Sequence, residues 1–357
     1  MEAGRDPGTG KRLRRTETFR GTKRKAEARL TALLAAVESG TDLDPARLTL
    51  GEYLEKWLEA SEKRVRTRTH ERYSELARLH VAPTLGRVPL GKLRPLHLEG
   101  LYSALLAKGL SARTVLHVHR VLFSALRQAV LWQLVPRNVA EAVVPPRPAR
   151  HEVAALEAQE AGAILAAVAG SDLEQPVALA LGAGLRRGEV LGLRWRDLDL
   201  DAGRARVVQT LQETRGGLRF VAPKTHRSRR SVSLPAFVVD ALRGHRKAQN
   251  ERRLLLGTAW QPTDLVIDRG DGGPMRPDTL SHRFRKVTRR AGLDVNFHGL
   301  RHGHASLMLA AGVHLKVVSD RLGHSAIGIT ADLYSHVGPL LEEQAAATLD
   351  GLIGGSR

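Results

Sequence analysis

Residues 182–193 read GAGLRRGEVLGL, a tight glycine turn running into a helix, with Arg186 at the turn and Glu189 one turn later. The glycine spacing misses the dinucleotide fingerprint G-x-G-x-x-G by one position, since three residues rather than two part Gly184 from Gly188. A nucleotide-binding α/β sheet therefore loses its best local signal. What remains is an arginine held at a helix start in a mostly helical chain.

Working outward, helical periodicity dominates. Leu50, Tyr53, Leu54, Trp57 and Leu58 fall at i, i+3, i+4, i+7 and i+8, one apolar stripe. Pro83, Gly86, Pro89 and Gly91 break the chain before a helix expected over Leu96–Lys108. Gly109 ends it, and Ser111 caps a long helix expected to reach Leu134. Residues 136–148 (PRNVAEAVVPPRP) hold four prolines and read as a linker. Three β-leaning segments follow, RARVVQT, LRFVA and SVSLP, and predict a small antiparallel meander between Arg204 and Leu234. Helices are expected again over Pro235–Leu256, over Pro277–Ala291 and from Gly299 onward. Towards the N-terminus a helix is expected over Lys23–Ser39.

The resulting layout is a basic N-terminal segment at 1–47, a helical domain at 48–135, a linker at 136–152, and a mixed domain at 153–357 whose C-terminal segment, Gly338–Gly354, is expected to form a short tail helix. The fold class is mainly α with a small antiparallel β-sheet.

Lys plus Arg number 56 against 37 Asp plus Glu, a formal net charge of +19 over 357 residues. A field of that sign points to a polyanion, most often nucleic acid. Part of the arginine excess also fits the Ala, Arg, Leu and Gly bias of a GC-rich coding sequence. Aromatics make up only 4% of the chain, too few for base-stacking platforms, so duplex held by its phosphates fits better. The chain has no cysteine, which removes disulfides, thiolate metal sites and cysteine nucleophiles. No signal-like apolar run opens the sequence and no run approaches a membrane span, so a cytoplasmic protein with no membrane partner is expected.

Familiar catalytic signatures fail. GTGKR at 8–12 lacks the spacing and the Ser/Thr of a phosphate-binding loop, so nothing calls for ATP. HEVAA at 151–155 lacks the second histidine of a zinc-protease helix. His298, His302 and His304 are close enough to grip a metal, but no carboxylate or thiol accompanies them, and no metal or other cofactor is assigned.

The informative pattern is a set of isolated basic residues at turns, closed by one tyrosine. Arg186 lies in the glycine turn and Lys224 on the tip of a hairpin in PKTHRSRRSVSLP. His298 and Arg301 share a helix face in HGLRH, His324 ends a helix in RLGHS, and Tyr334 follows in ADLYSHV. Tyr334 is the only tyrosine after Tyr102. Taken singly, each has an ordinary structural explanation: a surface arginine, one more phosphate contact, a capping histidine, a core tyrosine.

In this order the boxes resemble the tyrosine recombinase (phage integrase) family, over about residues 155–340. GLRRGEVLGL is similar to its first-arginine box, KTHRSRRSVSLP to its lysine hairpin, and HGLRHGHAS, LGHS and YSHV to its second box. Segment 49–135 resembles its core-binding domain, and residues 1–40 the last part of an arm-binding domain whose opening strands the sequence does not reveal. Ala183, Gly303, Gly328 and Ile329 depart from residues frequent in the family, but none removes a catalytic side chain.

The resemblance implies a helical core-binding domain and a catalytic domain forming a C-shaped clamp on DNA. It implies cleavage of double-stranded DNA attachment sites by Tyr334, with Arg186 and Arg301 clamping the phosphate. Lys224 would be the acid, His298 and His324 would assist, and Glu189 would support the arginines. A 3′-phosphotyrosyl intermediate and a Holliday junction would follow, in a homotetramer served by accessory bending or directionality factors. Neither ATP nor metal would be needed. Lys63, Arg64, Arg66 and Arg68, with Arg227, Arg229 and Arg230, are expected to touch DNA. Length and the basic N-terminus favour an integrase of a phage or integrative element, working at the nucleoid of a bacterial cell. The competing functions are a silent DNA-binding relative and a type IB topoisomerase-like enzyme.

Overall fold

The structure is a computed structural model that describes residues 2–5, 12–14, 21–23, 27, 47–149, 156–223, 228–324 and 328. The chain divides into two compact units, 1–150 and 151–357. Most of the expected helix at Lys23–Ser39 lies outside the described residues, as do Lys224, Arg227, Tyr334 and the C-terminal segment. At the N-terminus, β1 (Glu2–Arg5) pairs antiparallel with β2 (Arg12–Arg14). Strands of four and three residues are too short for their alternation to stand out in a charged stretch.

The first unit is built on α1 (Leu50–Glu62), α2 (Thr67–Leu76), α3 (Pro95–Ala107) and α4 (Ala112–Leu131). Thr49 starts α1 by accepting the Glu52 N–H at 3.3 Å, while the Glu52 carboxylate accepts the Thr49 N–H at 2.9 Å. The five residues of the predicted stripe are all buried. Each leucine of the stripe contributes about 1.5–3 kcal/mol of burial. Trp57 stacks on Tyr73 with centroids 5.4 Å apart, and the Tyr53 hydroxyl donates to the Ala125 carbonyl. Helix α2 widens into a π-helical stretch, Ala77–Val81, just before Pro83, which has no N–H to give the turn behind it.

Ser111 caps α4 as expected, accepting the Thr114 N–H at 3.2 Å, but the helix stops at Leu131 rather than Leu134. Its stop is followed by Gln133 with φ +56°. The Pro-rich stretch behind it is not bare linker. Asn138 accepts the Ala140 N–H at 3.0 Å to start a 3-10 turn, Val139–Ala142, and Ala140 and Val143 are buried in this unit's core.

The second unit centres on α6 (Glu174–Ala183), buried without a break from Pro176 to Ala183. A helix apolar on every side needs neighbours on every side. It packs against α5 (Ala158–Val168), α7 (Arg187–Gly192), α8 (Ala236–Leu256) and α10 (Phe297–Ala310). Helix α9 (Pro277–Arg290) meets α10 through an edge-on Phe284–Phe297 pair, 5.5 Å apart, and α11 (Leu315–Leu322) closes the described part.

The predicted meander is corrected. RARVVQT breaks at Val208–Gln209 into β4 (Arg204–Val207) and β5 (Thr210–Thr214). Strand β4 lies between β3 (Leu198–Asp199) and β7 (Arg230–Ser233), with Ala205 opposite Val232 and Val207 opposite Arg230. Strands β5 and β6 (Gly217–Val221) form a separate hairpin. The break lets β5 lie on the backbone of α7. The Gln209 amide donates to the Gly192 carbonyl at 2.8 Å, and a Cβ on Gly188 would come within 2.6 Å of the Leu211 carbonyl.

Candidate active site

Gly184 ends α6 at φ +65°, and a Cβ there would meet His304 at 2.7 Å and Leu322 at 2.8 Å. Only glycine suits both the left-handed backbone and that close approach. The turn leaves the Gly184 carbonyl 2.6 Å from Nη1 of Arg301, and the Leu322 carbonyl takes Nη2 at 2.6 Å. Arg301 is 2% exposed, fixed by the ends of two helices, α6 and α11. Burial first, and then the Arg186 charge, lowers its pKa to about 9, still well above neutral, so it stays a cation.

Arg186 stands at the N-cap of α7. Its Nη1 donates to Oε1 of Glu189 at 2.7 Å and its backbone N–H to Oε2 at 3.0 Å, while Nη2 reaches the Gly323 carbonyl at 3.3 Å. About a third of its side chain faces solvent, whereas Glu189 is 4% exposed. Burial alone would raise the Glu189 carboxyl. The neighbouring Arg230 and Arg186 override it and hold the group below its ordinary pKa.

Arg230, expected at DNA phosphate, is turned inward instead. Its side chain is 7% exposed and its Nη2 lies 3.0 Å from Oε2 of Glu189. The alternation of β7 explains this, since Arg230 and Val232 share the inner face while Ser231 and Ser233 face out; Arg229, just before the strand, is exposed. Lys63, Arg64, Arg66 and Arg68 are exposed where α1 turns into α2 of the first unit.

His298 and His302 meet edge to face, 4.7 Å between centroids, one turn apart on α10. His298 keeps an edge open to solvent, yet partial burial and then His302, Arg301, Arg186 and Arg187 lower its pKa to about 4. His324 follows the left-handed Gly323 at the end of α11, and burial, Arg301 and Arg186 lower it likewise to about 4. Both imidazoles are therefore neutral at pH 7. His304, read with them as a possible metal ligand, is buried and differently engaged. Its Nδ1 donates to the Leu181 carbonyl at 2.7 Å, and its Nε2 accepts Nε of Arg321 at 3.1 Å. Among the described residues no three metal-ligating side chains come together.

Sequence reasoning missed Arg321 and Arg187. Arg321 also donates to the Gly182 and Ser233 carbonyls, at 3.1 and 2.7 Å, tying α11 to α6 and β7. Arg187 joins α7 to α9 through the Pro277 carbonyl at 3.1 Å and the Ser281 hydroxyl at 2.6 Å. Neither has a signal beyond being an arginine in an arginine-rich chain.

Three guanidinium groups thus converge on one carboxylate, with two neutral imidazoles beside them. The excess positive charge and the open side of Arg186 make a receptor for an anion that accepts several hydrogen bonds, such as a phosphate diester.

Residues 154–339 match the phage integrase family, and residues 49–106 match its N-terminal SAM-like domain. A "Tyrosine recombinase XerC-like" protein of Caldanaerobacter subterraneus is 30% identical over 98% of this chain and 94% of its own length. An "Integrase" of Streptomyces ambofaciens is 30% identical over 98% of this chain and 91% of its own. The fold is similar to the Tn1549 transposon integrase in complex with a circular intermediate DNA, with a TM-score of 0.71 and 19% identity over 83% of this chain and 99% of that one. It is also similar to a lambda integrase dimer bound to a COC′ core site, with a TM-score of 0.59 and 20% identity over 94% of this chain and 92% of that one. The chain belongs to the phage integrase family of tyrosine recombinases and is a site-specific recombinase.

Proposed function

We propose that the protein cuts and rejoins duplex DNA at attachment sites of a phage or integrative element, through a 3′-phosphotyrosyl intermediate formed by Tyr334. The observation that carries this reading is the convergence of Arg186 and Arg301 beside the buried Glu189, with His298 and His324 near enough to feel both arginine charges. A diester under attack gains negative charge on its non-bridging oxygens. Fixed guanidinium donors in a water-poor site stabilise that charge with little reorganisation.

Tyr334 is assigned by family motif and by elimination. The chain has four tyrosines, and the other three, Tyr53, Tyr73 and Tyr102, belong to the first unit. Tyr53 and Tyr102 are buried, and burial raises their phenols above the ordinary tyrosine pKa. In the proposed step the Tyr334 oxygen bonds to phosphorus and the bond from phosphorus to the 5′ oxygen breaks. The phenol proton passes to His298, whose basicity rises when a phosphate is bound beside it. Lys224 gives a proton to the departing 5′ oxygen, and His324 donates to a non-bridging oxygen. The phosphotyrosyl link retains the energy of the diester, so a 5′ hydroxyl of the partner strand reverses the step without ATP or metal.

By analogy with the lambda integrase tetramer bound to a Holliday junction, four copies exchange strands in pairs. Lys63, Arg64, Arg66, Arg68, Arg227 and Arg229 are assigned to phosphate contacts, with accessory bending or directionality factors as further partners.

The test uses two supercoiled plasmids in excess chelator, one carrying the DNA that flanks the gene and one without it. Recombinant products from the first alone are expected. Relaxation of the plasmid lacking a site would instead indicate topoisomerase chemistry, and strict metal dependence would overturn the metal-free step.

A further inference from the structure

Arg230 has four of its five N–H groups engaged by protein. Its Nη2 and Nη1 donate to the two oxygens of Glu189 at 3.0 and 3.3 Å, Nη1 also to the Ser228 carbonyl at 3.3 Å, and Nε to the Arg321 carbonyl at 2.6 Å. Arg321 answers by donating to the Ser233 carbonyl at the far end of the same strand. Strand β7 and helix α11 are therefore clasped in both directions, with Glu189 gripped between Arg230 and Arg186.

We propose that Arg230 is the positioning residue of the phosphate clamp: through Glu189 it sets Arg186, and through the Arg321 carbonyl it fixes the end of α11 that presents His324. The proposal rests on the reading of Arg186 and Arg301 as that clamp. The chemistry requires arginine. A planar fork spans both carboxylate oxygens and still reaches a third acceptor through Nε, whereas a lysine ammonium is a point charge that cannot hold the two oxygens in one plane. Without the fork, Glu189 keeps only its bonds to Arg186, and the two side chains can shift together. Arg230 itself sits too deep to touch DNA, at 7% side-chain exposure, so its substitution acts on the rate and not on affinity.

The test is Arg230→Lys on a nicked suicide duplex made from the DNA flanking the gene, with affinity and the cleavage rate of bound complex measured separately. Affinity within about twofold of wild type is expected, with cleavage slower by roughly 10- to 100-fold, the scale of a small misplacement of a catalytic group. A substrate with sulfur in place of the leaving 5′ oxygen needs no acid, and the defect should persist on it. Recovery there would place Arg230 in proton delivery and overturn the proposal, as would wild-type cleavage on the normal substrate.

In an Arg186→Ala background the added loss from Arg230→Lys should shrink at least about threefold, because the two act on one element. A full added loss would mean that Arg230 does not act through Glu189 and Arg186, and would overturn the proposal. Should Arg230→Lys fail to fold, the pair Arg230→Met with Glu189→Gln removes one cation and one anion of the cluster together and leaves its net charge unchanged. That pair should show the same cleavage loss, and normal cleavage would overturn the proposal. Arg186→Ala alone separates the two layers. If it cleaves normally, the clamp itself fails; if it is inactive while Arg230→Lys is normal, only the positioning role falls.

Discussion

Arg301 approaches Glu189 no closer than 4.0 Å, while Arg186 pairs with the same carboxylate at 2.7 Å. One carboxylate therefore serves both arginines unequally. Arg301 is held mainly by two backbone carbonyls, which orient it without cancelling its charge. A phosphate arriving at this site meets a fixed guanidinium already stripped of water and a second, more exposed one beside it.

The clamp should separate catalysis from binding. Arg186→Ala and Arg301→Ala should each slow cleavage of bound duplex by at least ~10²-fold with little change in affinity. Their stabilities should differ. Arg301 is buried on the Gly184 and Leu322 carbonyls, so its loss should cost about 3 kcal/mol or more, read from thermal or denaturant melts. Arg186, about a third exposed, should melt close to wild type. Weakened affinity with an unchanged cleavage rate would make these binding residues only.

The histidines give a pH signature. His298, His304 and His324 have an ordinary pKa of 6.5 and are drawn down to about 4 in the fold. Below pH 6.5 the unfolded chain takes protons that the folded chain refuses until about pH 4. Their contribution to stability is thus complete above pH 6.5 and declines as the pH falls from 6.5 towards 4. Melting temperature against pH should follow that course in DNA-free protein. Proton NMR titration should show His298 and His324 moving to higher pKa when duplex binds, because a phosphate favours their charged forms. His304, bonded to the Leu181 carbonyl and Arg321, should stay where it is. Equal movement of all three would contradict the placement of His298 and His324 at the phosphate.

Lys224 is assigned as the acid for the leaving oxygen. Lys224→Ala should be severely slow on a normal phosphodiester and close to wild type on a 5′-bridging phosphorothiolate, whose thiolate departs without a proton. Arg186→Ala should be slow on both. Equal defects of Lys224→Ala on the two substrates would make it a phosphate contact and pass the acid role to His298.

Much of this was legible in the sequence because the signals are local. The stripe Leu50–Leu58, the Ser111 cap and the glycine turn before Arg186 each follow from a few neighbouring residues. So did the pairing of His298 with His302, one turn apart on a helix. What the sequence hid was long-range partnership. Arg229 and Arg230 are adjacent and chemically identical, yet one is exposed and the other is buried on Glu189, 41 residues away. The strand begins at Arg230, whose inward phase is shared with Val232, and Arg229 lies just before it. The His304–Arg321 bond is hidden for the same reason. Histidine spacing alone suggested a metal, while the acceptor that fixes its Nδ1 lies on α6, at Leu181.

Tyr334 is assigned the covalent bond to DNA, and a trapped intermediate tests that bond most directly. A duplex from the DNA flanking the gene, nicked beside the cleavage position so that the released fragment diffuses away, should accumulate a protein–DNA adduct with the wild-type chain. The adduct should resist denaturant, and digestion should leave the residual nucleotide on the peptide carrying Tyr334. Tyr334→Phe should bind the same duplex with unchanged affinity and give no adduct. An adduct of equal yield in Tyr334→Phe, or one mapped to any other residue, would contradict the account.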